Sequence, residues 1–460
     1  MSRWADVSWI WITPSLVAIG VVATHYAATA GHWTAAVRPL LAALLVAGVL
    51  QGAILLVTRN RVIGGLSAAL GVLYLGGQPA LALVWLAGAV ASAYLRVRRG
   101  GIPAPHPAVA LILAGSVFLT GLIQVSTSGA VSLRDLVPAD HGPILSRTAP
   151  LPDIYVLLLD GYARADTLKS TFDFDNEPFL EALRSRSFDV YSQSRTEYDS
   201  TARTTLGMLS GTSADLPDTD GLPISQRDSV DREVRRRLAE APGLSQLHRA
   251  GYETVVVLSP VVHVVHRGWD VTIDTGQLTD LEVKFLRESS VGSLFASWVL
   301  DQQRDRLEAS LAAIVERSYV DRQQVVMAHL MAPHPPFLYS SDGSPMPPPE
   351  CWPGDCHLYA ITPTGLGLTT DEFGRRYTDQ IAYLNTLILP ALDAILARDP
   401  DAVVVVMSDH GSRYSSEDEA ERHRNLLAIR SLSHPNLLGT DPTTDRLFER
   451  IIDALSAVCI

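Results

Sequence analysis

The chain has 460 residues, 47% of them apolar, and a formal net charge of -12 from 37 Lys and Arg against 49 Asp and Glu. This length gives room for two or three domains, and the acidic balance excludes a basic face of the kind that binds nucleic acid backbones. Three cysteines are too few for a disulfide framework, and none has zinc-ribbon spacing; Cys351 and Cys356, in CWPGDC, read as a small disulfide loop or as two free thiols.

Apolar runs occupy residues 8–30, 38–58, 62–77, 79–95 and 107–126. Several reach the roughly 20 residues a helix needs to cross a bilayer. The stretch Gly76-Gly77-Gln78-Pro79 either joins two spans, giving five in all, or kinks one long helix, giving four. Five is the preferred number. Arg59 and Arg61 lie in one short loop, and Arg96, Arg98 and Arg99 in another. If both loops are cytoplasmic, the amino terminus is inside and the fifth span delivers the chain outside, with Arg38 alone opposing. Trp4, Trp9, Trp11 and Trp33 suit interfacial anchoring or packing between helices. The first run lacks a basic start and is followed by further spans, so no cleavable signal is expected. No span carries paired charges, which argues against a transport path. Residues 1–126 are therefore expected to be a plasma-membrane anchor, 127–152 a Ser-, Gly- and Pro-rich linker, and 153–460 an extracytoplasmic domain.

In that domain, DIYVLLLD (153–160) is a continuous apolar strand ending in Asp160-Gly161. NEPFLEALRSRS reads as an amphipathic helix and SFDVYSQSRT as the next strand. EYDSTARTTLGMLSGT (197–212) crowds hydroxyls before a helix packed by Leu206, Met208 and Leu209. Such hydroxyls cap a helix, or meet a phosphate at its positive end. GLSQLHRAGYETVVVLSP is a further helix and buried strand, whereas 260–290, with His263, His266 and Trp269, shows no clear pattern. A helix is expected over 291–318, then a strand in QQVVMAHLMAPHPPFLYSSDG that ends in a Pro-rich loop bearing His334, with His329 inside the strand. A helix over 374–398 leads into VVVVMSDHGSR (403–413), a strand buried on both faces that stops at Asp409-His410-Gly411. The alternation predicts an α/β domain with a mostly parallel sheet flanked by helices. Acids at the ends of two neighbouring parallel strands can converge on one site. Each could instead cap its own turn, but the pair favours a metal ligand role for Asp160, Asp409 and His410.

An acid after the first strand, a hydroxyl at a helix start with Ser-Gly about ten residues on, and a late strand ending Asp-His-Gly resemble the alkaline phosphatase and sulfatase superfamily. The likeness is strongest to its membrane-anchored branch of lipoteichoic acid synthases and phosphoethanolamine transferases, whose members carry five spans and an external catalytic domain. The resemblance implies Asp160, Thr201, Asp409 and His410 as metal ligands, Thr201 also as nucleophile, and His334 as a catalytic contact to phosphate or leaving group. Arg203, Arg413 and His423 are implied as substrate contacts. The ion would be Zn, Mn or Mg. The implied reaction passes a phosphodiester head group from a membrane lipid donor, through phospho-Thr201, to an envelope glycan or lipid. A hydrolase, or an inactive relative that binds an envelope component, are the alternatives. Thr201-Ala202-Arg203 lacks the Cys/Ser-x-Pro-x-Arg pattern of true sulfatases, which disfavours sulfate ester hydrolysis.

Overall fold

The computed structural model describes the chain apart from residues 1, 30–35, 59–60, 77, 100–106, 129–150, 211–215, 217–229, 231–232, 235, 239, 261–267, 290, 350–361, 413–418, 441 and 458–460. Cys351, Cys356, Arg413, His263, His266 and most of the expected linker thus lie outside the described residues. The chain divides into two compact units, one of Met1–Asp135 with Thr279–Ala296, the other of Leu136–Leu278 with Ser297–Ile460.

The first unit contains five helices where the apolar runs fall: α1 (Ser2–Thr29), α2 (Val37–Thr58), α3 (Arg61–Leu75), α4 (Pro79–Arg98) and α5 (Pro107–Ser128). Val17, Val21, Leu73, Trp85 and Ala114 share its core. Small residues let α1 and α5 touch backbone to backbone. A Cβ on Gly20 would lie 2.7 Å from the Val117 carbonyl oxygen, and one on Gly121 2.5 Å from that of Gly20. Outward-facing residues are apolar too, with Leu45 and Leu56 exposed at 68% and 82%. Val37–Val57 is long and apolar enough to cross a membrane; among the described residues, Thr370–Arg398 of the second unit passes the same test.

The segment Thr279–Ala296, which the sequence reading left inside the outer domain, groups with these helices. Within it α6 (Asp280–Glu288) starts at a capping box, where the Thr279 hydroxyl accepts from Glu282 N and Glu282 Oε2 accepts from Thr279 N at 2.8 Å. Arg38 donates to Glu282 Oε2 at 2.8 Å. His25 lies 3.0 Å from the Gly76 carbonyl through Nε2 and 3.3 Å from Glu288 through Nδ1. Leu281 packs on Tyr26, flanked by Ala36 and Val125. The partners of α6 come from the end of α1, the start of α2 and the end of α5, so α6 covers one end of the bundle.

The second unit is built on a seven-stranded sheet. Its strands are β1 (Ile154–Asp160), β2 (Asp189–Val190), β3 (Glu253–Val257), β4 (Val271–Ile273), β5 (Gln324–Pro333), β6 (Val403–Ser408) and β7 (Leu427–Arg430), in the order β2-β7-β6-β1-β5-β3-β4. β1 pairs parallel with β5 and β6, and β3 parallel with β4 and β5; only the β7 pairings are antiparallel. β1, β5 and β6 are buried along their whole lengths, which is why they read as unbroken apolar runs. One face of the sheet packs Ile154, Val156, Leu158, Val405 and Met407 against Leu206 and Met208 of α7 (Thr201–Ser210), Leu244 and Leu247 of α8 (Pro242–Arg249), and Phe448 and Ile451 of α9 (Leu447–Ala457). The strand expected in SFDVYSQSRT shortens to the two-residue edge strand β2, since positive φ at Ser187 and a turn after Tyr191 take the polar remainder out of the sheet. The expected helix over 291–318 opens as a 3-10 turn, Gly292–Phe295, before α10 (Ala296–Arg317). The helix expected over 374–398 starts a turn earlier, as α11 (Thr370–Arg398). Its apolar length comes from a buried stripe of Phe373, Tyr377, Ile381, Leu384 and Ile388.

Candidate metal centre

β1 and β6 run side by side, with Leu159 level with Ser408, so their last residues open at one carboxyl edge of the sheet. There Asp160, Asp409 and His410 bring ligand atoms within 4.8 Å of one another, all buried. His410 Nε2 stands 3.4 Å from Asp160 Oδ1 and 3.5 Å from Asp409 Oδ2. These are ion-pair distances without hydrogen-bond alignment: among the described residues, Asp160 Oδ1 and Asp409 Oδ2 are buried with no hydrogen-bond partner. Two ligands about 2.1 Å from a tetrahedral ion stand about 3.4 Å apart, so the spacing and the orphaned oxygens fit a divalent cation.

Backbone groups orient each ligand. Asp409 Oδ1 accepts from Gly161 N at 2.9 Å and His410 N at 2.8 Å, which turns Oδ2 toward His410. His410 Nδ1 lies 2.7 Å from the Gly411 carbonyl. A carbonyl only accepts, so Nδ1 carries the proton and the Nε2 lone pair faces the carboxylates. Ser408 Oγ donates into the carbonyls of Leu159 and His410 and accepts from Tyr162 N, fastening the two strand ends together. Two glycines make the edge possible. Gly161 has φ of +74°, and a Cβ on Gly411 would fall 2.1 Å from the Glu421 carbonyl oxygen.

Burial alone would push the Asp160 carboxyl up, but the imidazoles of His334, His329 and His410 together hold it well below the usual carboxylate range. His329 is the residue that sequence reasoning set aside. Its Nε2 lies 3.3 Å from Asp160 Oδ2 inside the sheet. In a strand buried on both faces, no alternation marks which side chain reaches the neighbouring strand's end, so only its burial as a histidine could have singled it out. His334 donates its backbone N–H to the Asp160 carbonyl at 2.9 Å, and its Nδ1 meets the Pro335 carbonyl. His334, Tyr377, His410 and Ser412 line one cleft. The Tyr377 hydroxyl, whose pKa burial raises, donates to the Gly161 carbonyl at 2.7 Å.

Thr201 opens α7 and is half-buried, as expected for a helix start. Among the described residues no hydrogen bond or ion pair joins it to Asp160, Asp409 or His410. Its helix is tethered to the Asp-His-Gly loop indirectly. Gly411 N donates to Arg422 O, Thr196 N to His423 O at 2.9 Å, and Thr196 and Thr204 share a hydroxyl contact at 3.1 Å. His423 Nδ1 lies 3.0 Å from the Thr196 carbonyl, so it braces the segment leading to α7. Arg203 is buried on α7.

No family model matches the chain, and no curated protein does. Solved structures do resemble it. The integral membrane protein lipooligosaccharide phosphoethanolamine transferase A from Neisseria meningitidis is 14% identical with a TM-score of 0.40, covering 98% of this chain and 95% of its own. The C-terminal periplasmic domain of EcEptC from Escherichia coli, in complex with Zn, is 13% identical with a TM-score of 0.41, over 68% of this chain and 86% of that one. A phosphonate monoester hydrolase from Silicibacter pomeroyi is 14% identical with a TM-score of 0.42, over 66% and 73%. All three likenesses are distant.

Proposed function

We propose that the chain is a membrane-anchored, metal-dependent phosphotransferase that passes a phosphodiester head group from a lipid donor to an envelope glycan or lipid. The observation that carries this is the pair of orphaned carboxylate oxygens facing one imidazole lone pair at a parallel-sheet edge. Two carboxylates and one imidazole suit zinc, manganese or magnesium. When bound, such an ion supplies a Lewis acid for phosphoryl oxygens and lowers the pKa of a hydroxyl beside it.

Asp160, Asp409 and His410 are the ligands in this reading, with Thr201 completing the set. Thr201 Oγ1 attacks phosphorus, forming a phospho-Thr bond while the bond to the leaving oxygen breaks. His334, with Nδ1 committed to Pro335, exchanges the leaving group's proton at Nε2. The positive end of the helix that Thr201 opens faces the phosphate in this reading, and Arg203 and His423 are the remaining substrate contacts. The five helices of the first unit serve as spans, with the amino terminus inside and the sheet unit outside. Anchoring confines the site beside its lipid donor and raises the effective concentration.

Incubating the full-length protein with lipid labelled in its head-group phosphate tests this reading. Wild type should acquire covalent label and Thr201→Ala none. Label on the alanine variant would sink the nucleophile assignment, and release of label only to water would make the enzyme a hydrolase.

A further inference from the structure

The segment after α6 is apolar where it faces outward. Leu294 is exposed at 79%, and Val291 and Phe295 are partly exposed beside it. It is a built turn, since a Cβ on Gly292 would lie 2.2 Å from the Leu286 carbonyl oxygen. The segment belongs to the helical unit, and its helix is held there at both ends, Glu282 by Arg38 and Glu288 by His25. Arg38, which holds Glu282, stands one turn before Leu41, exposed at 62%, and α2 continues outward-facing through Leu45 and Val49. Lys284 and Arg287 lie on the helix that leads into this strip, both partly buried, with the Arg287 guanidinium 3.7 Å from Glu288. Exposed apolar side chains at the end of an apolar helical bundle match the chemistry of the bilayer interface.

We infer that the segment Thr279–Ala296 is an interfacial membrane element, with Leu294 and Phe295 entering the lipid head-group layer. This rests on the membrane reading of the five helices. On that reading the occupant is lipid rather than a protein partner, because the strip belongs to the unit whose helices turn Leu41, Leu45 and Val49 outward. An interfacial helix typically settles about 5–10 Å into the head-group boundary. The contacts of Arg38 with Glu282 and of His25 with Glu288 then fix α6 at that depth, on the end of the bundle opposite Arg61 and Arg98. The chain is thereby tied to the membrane twice, once through α5 and once through an excursion from within the sheet unit.

The test uses the full chain carrying Leu294→Cys, labelled with an environment-sensitive fluorophore and reconstituted in phosphatidylcholine vesicles. The parent chain, labelled at its native cysteines, supplies the background, and Lys169→Cys serves as a reference exposed to water. The 294 label should emit to the blue of the 169 label, lose most of its intensity to lipids bearing a shallow nitroxide, and resist aqueous iodide. Quenching by iodide without quenching by nitroxide lipid would overturn the inference, and so would resistance to both, which means a protein covers the strip. A chain that fails to float with vesicles would overturn the membrane reading itself, an outcome distinct from either.

Discussion

Each unit buries a histidine against carboxylates, and the two clusters differ in how their polar atoms are used. In the helical unit both His25 nitrogens have partners, the Gly76 carbonyl and Glu288. In the sheet unit Asp160 and Asp409 each bury an oxygen that no described residue serves. Leaving a buried charged acceptor unserved costs at least about 1–3 kcal/mol, so a fold that keeps two such atoms together holds a site meant for something else to complete. The His25 cluster joins elements; the Asp160 cluster leaves polar atoms open to a ligand.

Asp409→Asn is the strongest way to break this contrast. It removes a ligand charge while keeping the backbone contacts to Oδ1, so metal content by elemental analysis should fall to background. Activity should fall by about a thousandfold or more, equivalent to about 4 kcal/mol of transition-state stabilisation. Retained metal would mean that Asp409 is only a turn-forming residue. Gly411→Ala should destabilise by about 3 kcal/mol, since its Cβ would collide with the carbonyls of Glu421 and Arg424, and thermal unfolding with metal titration should show both losses together. His25→Leu should be the mildest, costing about 1–2 kcal/mol in thermal stability with unchanged metal content. A change in metal content there would mean that the two clusters are coupled.

The sequence was most readable where burial is symmetric. The valines of β6 and the leucines of β1 are unbroken because helices cover both faces, and each run stops at the acid that proved to face the other. The same symmetry concealed His329, because a strand buried on both faces carries no marker of which neighbour a side chain meets. Thr201 was readable as a helix start; its partners depend on the loop after Gly411, which reaches back through His423 to Thr196 across more than two hundred residues. Residues 279–288 looked patternless because their apolar positions answer to Tyr26, Ala36 and Val125, far upstream. One local signal was present and sufficient to start a helix: Thr279 followed three residues later by Glu282, a capping box.

That helix bears on how the molecule can be taken apart. Cutting after residue 135 would leave Leu281 and Phe285 without the bundle residues that cover them. Isolating the sheet unit therefore requires two edits, removal of residues 1–135 and replacement of residues 279–296 by a short polar loop, because the two units are interleaved along the chain.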